Sequence, residues 1–416
     1  MLDRILPILS TDYSWTAAAV ALLVGYVTIC KVLRYQRARS NPYLQLYKTR
    51  EDYSRMTAQH AYEIFGLTYA LEFPWLLDLA TKISTYRTIA MPSVAKLLVS
   101  TGQFNEPKHA PKRYADTALL IGEFVAQPPG SSRSVAALAR TNYLHEIYQK
   151  AGKISNKDMI YVLGAFVLIP IRFVNRWGYR KLSPLETCAF ATHWKRIGDG
   201  MHITWEPFPS NASGFKDGLQ WLEELDAWCA QYESENWVAD ENSYKVGQMG
   251  TTKMFSRVPQ SFRPILDRVI SALMDDWLRT VMMFPKPSPI YGLAISSFFA
   301  IQGFVIRNFL PPRPFSRAVK SSSLMYDPKT ERYNYKGYDI EPWYVKPTTS
   351  NRYGLDAWYN WILGNEIPGS SDKFVPGGIR IEDTGPYKYI GKGKKEFERE
   401  KEHLFAMNLG GCPFGH

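Results

Sequence analysis

Residues 112–152 read KRYADTALLIGEFVAQPPGSSRSVAALARTNYLHEIYQKAG, and their punctuation sets the fold class. From Lys112 to Ala126 the chain is apolar at helical spacing, and Pro128-Pro129-Gly130 stops it. A second run from Ser132 to Lys150 closes at Gly152, a helix C-terminal position. The same pattern continues outward in both directions. Residues 58–82 and 90–101 read as apolar-rich helices upstream. Downstream, Asn156 can cap a helix that is apolar from Met159 to Ile169 and meets Pro170. Ser183-Pro184-Leu185-Glu186 is a capping box with proline at the first helical position, opening a helix that ends near Gly198. Further helices are expected over 214–233 and 262–284. Alternating strand patterns are scarce and no internal repeat is present, so the expected fold class is all-α.

The 416 residues are 45% hydrophobic, 21% charged and 14% aromatic, which excludes a disordered chain and leaves ample material for a core. Cys30, Cys188, Cys229 and Cys412 form no CxxC pair, which points to a reducing compartment. The net charge of +11 suggests an anionic partner, and its location decides which one. Trp15 to Leu33 reads WTAAAVALLVGYVTICKVL, with Lys31 its single charge. As a helix this stretch spans about 29 Å, close to a bilayer core. Asp12 and Ser14 can cap its start, and Asp3, Arg4 and Asp12 precede it. Residues 31–57 then carry seven positive charges against Glu51 and Asp52, a net +5 of the total. The run ends in Ile29-Cys30-Lys31, unlike a signal-peptide cleavage site. It reads as an uncleaved single-pass anchor whose basic flank meets anionic lipid on the cytosolic side. Nucleic acid is not expected as a partner.

The organisation follows: 1–40 a transmembrane anchor with its basic flank, 41–345 a helical body, and 346–416 an aromatic segment with an extended tail. Two later segments look membrane-facing. Ile290–Ile306 is nearly uncharged but short for a span, and is expected to be buried or to lie at the interface. Trp343–Trp361 suits the headgroup level or ordinary packing equally.

Several chemistries are absent. Gly391-Lys-Gly393 lies in a Lys-rich tail and is no dinucleotide fingerprint. His145-Glu146 begins like a zincin motif, but position 149 is Gln, so the second ligand is missing. No G-x-S-x-G elbow occurs. Of seven histidines, His145 and His193 fall inside apolar helices, where a packed core histidine and a metal ligand are both readings. Arg113, Asp116 and Thr117 share one helix face, as a surface Arg113–Asp116 ion pair or as a polar cluster with a purpose.

Arg113-x-x-Asp116-Thr117, then Gly122-Glu123, then His145 followed by Gly152, resemble in order the rubber-oxygenase (latex-clearing protein) catalytic domain family. The stretches 102–123 (GQFNEPKHAPKRYADTALLIGE), 139–154 (ARTNYLHEIYQKAGKI), 215–228 (FKDGLQWLEELDAW) and the closing CPF are similar to its fungal ER-bound, MpaB-type branch, the oxygenases of mycophenolic acid biosynthesis.

The resemblance implies an all-helical fold holding haem b, with His145 as the proximal iron ligand and O2 as co-substrate. In the family's R-x-x-K-T motif the lysine position is Asp116 here, and an open or water-bound sixth position is expected. The implied reaction is oxidative cleavage of a carbon–carbon double bond in a prenyl (farnesyl) chain, such as that of a farnesylated phthalide, at the endoplasmic reticulum membrane. Asp116 is the expected distal base or proton shuttle. Arg113 fixes it and stabilises negative oxygen, and Thr117 orients water or O2. Arg172, Arg176 and Lys195 are candidate propionate partners or ordinary surface ion pairs. The expected partners are a prenylated small molecule and membrane lipid, with a homo-oligomer left open. The rival readings are a non-catalytic lipid-binding scaffold and a non-haem iron oxygenase using His145, His193 and a carboxylate.

Overall fold

The computed structural model describes residues 6–104, 106, 108–254, 257–319, 324–338 and 340–414. Asp3, Arg4 and His416 lie outside them. The fold is all-α. Helix α1 (Leu6–Arg39) is mostly exposed: its Trp15–Arg37 stretch has mean hydropathy 2.0 and is 6% buried, and it meets the rest of the protein at Cys30, Arg34 and Arg37. Its described residues run from Leu6, so positions 12 and 14 stand within the helix and not at its start.

The body holds α2 (Ala58–Leu67), α3 (Pro74–Ile89), α4 (Pro92–Ser100), α5 (Ala110–Ala126), α6 (Ser132–Lys150), α7 (Asn156–Trp177), α8 (Pro184–Gly200), α9 (Gly218–Asn236), α10 (Glu241–Met254), α11 (Arg263–Leu273) and α12 (Asp276–Val281). Helix α13 (Pro289–Phe309) follows. The helix expected over 58–82 is two, because a wide turn at Thr68–Glu72 runs into Pro74, which cannot donate the bond that would continue it. The 262–284 helix also divides, at Asp275, whose carboxylate accepts from Leu278 N and starts α12. Helix α7 is capped by Ser155, not Asn156, and runs through Pro170 to Trp177. Pro170 is buried with Ile169, Ile171 and Val174 against α3, and that packing offsets the lost backbone bond. At Gly164 a Cβ would meet Cys229 Sγ at 2.5 Å, so α7 and α9 cross where only glycine fits. The capping box at Ser183–Glu186 forms as expected.

The principal packed pairs are α3 with α7, α2 with α8 and α5 with α6. The stretch after Gly364, expected as an extended tail, folds on the body in its described residues. A small antiparallel sheet joins β1 (Leu324–Asp327), β2 (Arg332–Tyr335) and β3 (Ile379–Arg380). Beyond α14 (Leu355–Ile362), helix α15 (Lys394–Ala406) packs on α6 through Phe397 and Leu404, both buried. Helix α7 is long and apolar enough to cross a membrane but is 72% buried, a core helix. Helix α13 is only 11% buried, so the buried alternative for 290–306 is excluded.

Candidate functional site

Pro128-Pro129-Gly130, with Gly130 at φ +79°, turns α5 back onto α6 and sets their polar residues face to face. From α5 the Arg113 guanidinium donates to Thr117 Oγ1, and that hydroxyl donates to the Arg113 carbonyl at 2.8 Å. Arg113 lies over the Phe104 ring, 5.3 Å from its centroid. His145 stands across from it on α6. Burial, and then the nearby Arg113 charge, push the imidazole down to about 4. Its Nδ1 is buried with no hydrogen-bond partner. A neutral ring with an unpaired nitrogen is the form that ligates a metal. Beyond it a cleft of about 230 Å³ opens between α6 and α15, bordered by Tyr143, Met201, His202, Arg399 and Glu400.

Asp116 belongs to a neighbouring cluster. It is 1% exposed, and its carboxylate accepts Lys112 Nζ at 2.7 Å, Tyr344 OH at 2.7 Å and Gly385 N at 3.1 Å. The expected surface ion pair with Arg113 is not formed. Lys112, one turn earlier on the helix, takes that place, while Arg113 turns to Thr117 and His145. Burial and Asp116 push the Tyr344 phenol upward. Lys112 Nζ also donates to the Gly385 carbonyl at 2.8 Å. Arg140, fully buried on α6, donates to the carbonyls of Thr384, Tyr389 and Lys392. The C-terminal segment is therefore latched across α5 and α6. Gly393, at φ +75°, starts α15 where a Cβ would meet the Tyr143 ring at 2.2 Å, which accounts for the Gly391-Lys-Gly393 sequence.

His193 is a packed core histidine. It is 1% exposed, stacked on Phe65 at 4.7 Å, and its Nε2 donates to the Val125 carbonyl at 3.2 Å. Among the described residues no three His, Cys, Asp or Glu side chains gather as a metal ligand set. The remaining expected cations are engaged elsewhere. Arg172 pairs with Asp226, Arg176 lies over Trp177 at 4.5 Å, and Lys195 pairs with Asp199 at 3.0 Å. None of these partners belongs to the His145 cluster. Lys112 was visible at i, i+4 spacing from Asp116. Tyr344, Gly385 and Arg399 carry no local signal that links them to α5 and α6.

Residues 79–301 match the model of the ER-bound oxygenase mpaB/B′ and rubber oxygenase catalytic domain. The chain belongs to this oxygenase family. It is thus an oxygenase, an oxidoreductase. It is 38% identical over 414 residues to the ER-bound oxygenase mpaB′ of Penicillium brevicompactum, covering 99% of this chain and 97% of that one. It is 35% identical over 385 residues to ER-bound oxygenase mpaB of the same fungus, covering 92% and 91%. A third relative, ER-bound oxygenase mpaB of Penicillium roqueforti, is 38% identical over 277 residues, 67% of this chain and 93% of its own. The family domain contains Arg113, Asp116, Thr117 and His145. The C-terminal latch of Tyr344, Gly385 and α15 lies outside it but inside the stretch shared with mpaB′.

Proposed function

We propose that this oxygenase holds haem b through His145 and uses O2 to cleave a carbon–carbon double bond in the prenyl chain of a meroterpenoid. A farnesylated phthalide on the route to mycophenolic acid is the substrate class implied by the resemblance. The observation that carries the reading is His145 itself: a neutral imidazole on a rigid helix, bordering the cleft, with a buried unpaired nitrogen and the Arg113 charge near enough to lower its pKa. When bound, the haem iron supplies the redox chemistry toward O2. Arg113 offsets negative charge that develops on oxygen, and Thr117, bonded to both the Arg113 guanidinium and its carbonyl, holds that guanidinium in place beside Phe104. Arg399, bordering the cleft next to His145, is a better placed propionate partner than Arg172, Arg176 or Lys195. The purified full chain is expected to show a Soret band with one iron per porphyrin. Iron without porphyrin supports the non-haem alternative instead.

Asp116 has all three of its donors in place, and we assign it a positioning role: it fixes the register in which α5 presents Arg113 and Thr117. Asp116→Asn protein then keeps haem, loses thermal stability, and turns over more slowly with an unshifted pH profile. Lost turnover at unchanged stability, with a shifted profile, restores the base role.

The reaction is placed at the endoplasmic reticulum membrane, with α1 as a single span and the body in the cytosol. The relatives' ER-bound names and the basic flank of α1 support that placement. A lipid-soluble farnesyl chain is then collected from the same bilayer. Asn211-Ala-Ser213 is exposed and is an N-glycosylation sequon. With the body in the cytosol it stays bare in a microsomal preparation, and an endoglycosidase-sensitive mass at Asn211 reverses the orientation.

A further inference from the structure

Helix α13 presents two faces of opposite use. Phe299 and Gly303 are packed on the body: Phe299 is buried and stacks on Trp177 at 4.7 Å, and Gly303 approaches the Tyr179 Cα within the reach of a single Cβ. On the other face Ile290, Leu293, Ile301 and Phe304 recur at helical spacing and are 59–68% exposed. The end of α13 is tied to α1. Tyr26 OH donates to the Phe309 carbonyl at 2.8 Å, and Arg34 donates to the carbonyls of Leu310 and Pro311 at 2.7 and 2.8 Å. Arg37 reaches the Arg313 carbonyl at 2.5 Å. The C-terminal end of α13 is thereby held against the apolar stretch of α1 at Tyr26, and the residues after it follow α1 to its basic, cytosol-side end, while the middle of α13 rests on the body.

A second apolar helix continues the face. In α14, Leu355 is 91% exposed, and Trp358, Trp361 and Ile362 are also exposed. Helix α14 is joined to the segment that precedes α11 through the Arg257–Asp356 ion pair and the bond from Tyr359 OH to the Arg257 carbonyl. Helix α11, with Phe262 and Ile265 exposed beside it, packs on α13. Arg313, Phe315 and Arg317 are exposed where the face meets α1. Apolar side chains ringed by arginine and tryptophan, continuous with a membrane-crossing helix, match the depth profile of a lipid interface.

We propose that α13 and α14 form a lipid-binding face that lies in the plane of the bilayer anchored by α1, so that the body rests on the membrane instead of hanging from it. The inference relies on α1 spanning the membrane as proposed above. A second span through α13 is disfavoured because Trp75, Trp177 and Tyr179 hold its middle against the water-soluble body. The occupant is lipid because the face begins at α1 and carries cations at its rim.

The test uses the full chain, with Cys412→Ser as background, in phosphatidylcholine vesicles containing phosphatidylinositol. An environment-sensitive fluorophore is placed singly at Leu293→Cys, Ile301→Cys, Leu355→Cys, Leu22→Cys and Lys157→Cys, with nitroxide lipids as quenchers. Lys157 is at the far end of α7, about 30 Å from Trp177, and serves as the water control. The face labels are expected to be quenched about threefold or more beyond Lys157, and more strongly by shallow than by deep nitroxides, as a helix sunk ~5–10 Å requires. The Leu22 label shows the reverse depth order. Face labels open to iodide and untouched by lipid quenchers, with Leu22 quenched, overturn the proposal, whether a protein or water covers the face. Deeper quenching at Ile301 overturns it in favour of a second span. An unquenched Leu22 with quenched face labels refutes the span and upholds the lipid face. In unlabelled protein, Trp358→Phe with Trp361→Phe is expected to lower the fraction of tryptophan emission quenched by brominated lipid. An unchanged fraction counts against the face.

Discussion

His145→Ala protein is expected to purify without a Soret band and without stoichiometric iron, while folding as the parent does. The expectation rests on what the ring does in the structure. It makes no hydrogen bond at Nδ1, so its removal breaks no polar network. Its stability cost is that of a half-buried side chain, on the order of 1 kcal/mol. The binding cost is far larger, because the ring borders the open cleft, which the equally neutral His193, also with an unpaired Nδ1, does not. Burial and the Arg113 charge lower the imidazole pKa to about 4, so the ring is neutral and competes for metal and not for a proton throughout the physiological range. His193 cannot substitute, since its Nε2 is spent on Val125 and its ring is enclosed by Phe65, Tyr62 and Trp194. Added imidazole should restore part of the absorbance to the alanine protein, filling the space the side chain left. Unaltered haem occupancy in His145→Ala would falsify the assignment. His193→Phe serves as the comparison, and is expected to keep its spectrum.

Lys112→Met is expected to be the most damaging single change for stability. Both members of the Lys112–Asp116 pair are almost wholly buried, with side chains 5% and 1% exposed. Removing the ammonium leaves a carboxylate in the interior with only the Tyr344 hydroxyl and the Gly385 amide to solvate it. Breaking a buried pair in this way costs about 3–5 kcal/mol. The same ammonium also ties α5 to the Gly385 carbonyl, so the C-terminal latch loosens as well. Lys112→Met combined with Asp116→Asn should recover much of the loss, because no unpaired charge then remains, and the coupling reads directly as a double-mutant cycle. Protein with Lys112→Met that denatures at the wild-type midpoint would show that the pair carries no such weight. Proteolysis near residues 384–392 gives a second readout, since a loosened latch exposes backbone that Arg140 otherwise holds.

Helix existence was legible wherever proline, glycine or a capping residue punctuated an apolar run. Pro128-Pro129-Gly130 and the box at Ser183–Glu186 act through bonds within a few residues, so local order suffices to read them. Boundaries failed where tertiary packing competed with local rules. Pro170 did not end α7, because the helix is buried on α3 along its length. The supposed tail folded as α15 because Phe397 and Leu404 find a core on α6, and that core lies more than two hundred residues upstream.

The site divided in the same manner. Sequence alone brought out the anchor, the placement of nearly half the net charge beside it, and the set Arg113, Asp116, Thr117 and His145, all of which depend on spacing within one or two helices. It also carried the family, because the similar stretches run in order from residue 102 to the closing CPF. Only the tertiary structure decided that Asp116 answers to Lys112, Tyr344 and Gly385 while Arg113 turns to His145. It alone separated the lipid-side face of α13 from its body-side face. The physical reason is common to both. A helix repeat specifies which side chains share a face. Which face is buried, and which charge finds which partner, is settled by contacts between segments distant in the chain, such as Trp177 with Phe299 and Asp116 with Tyr344 and Gly385, and those leave no period in the sequence.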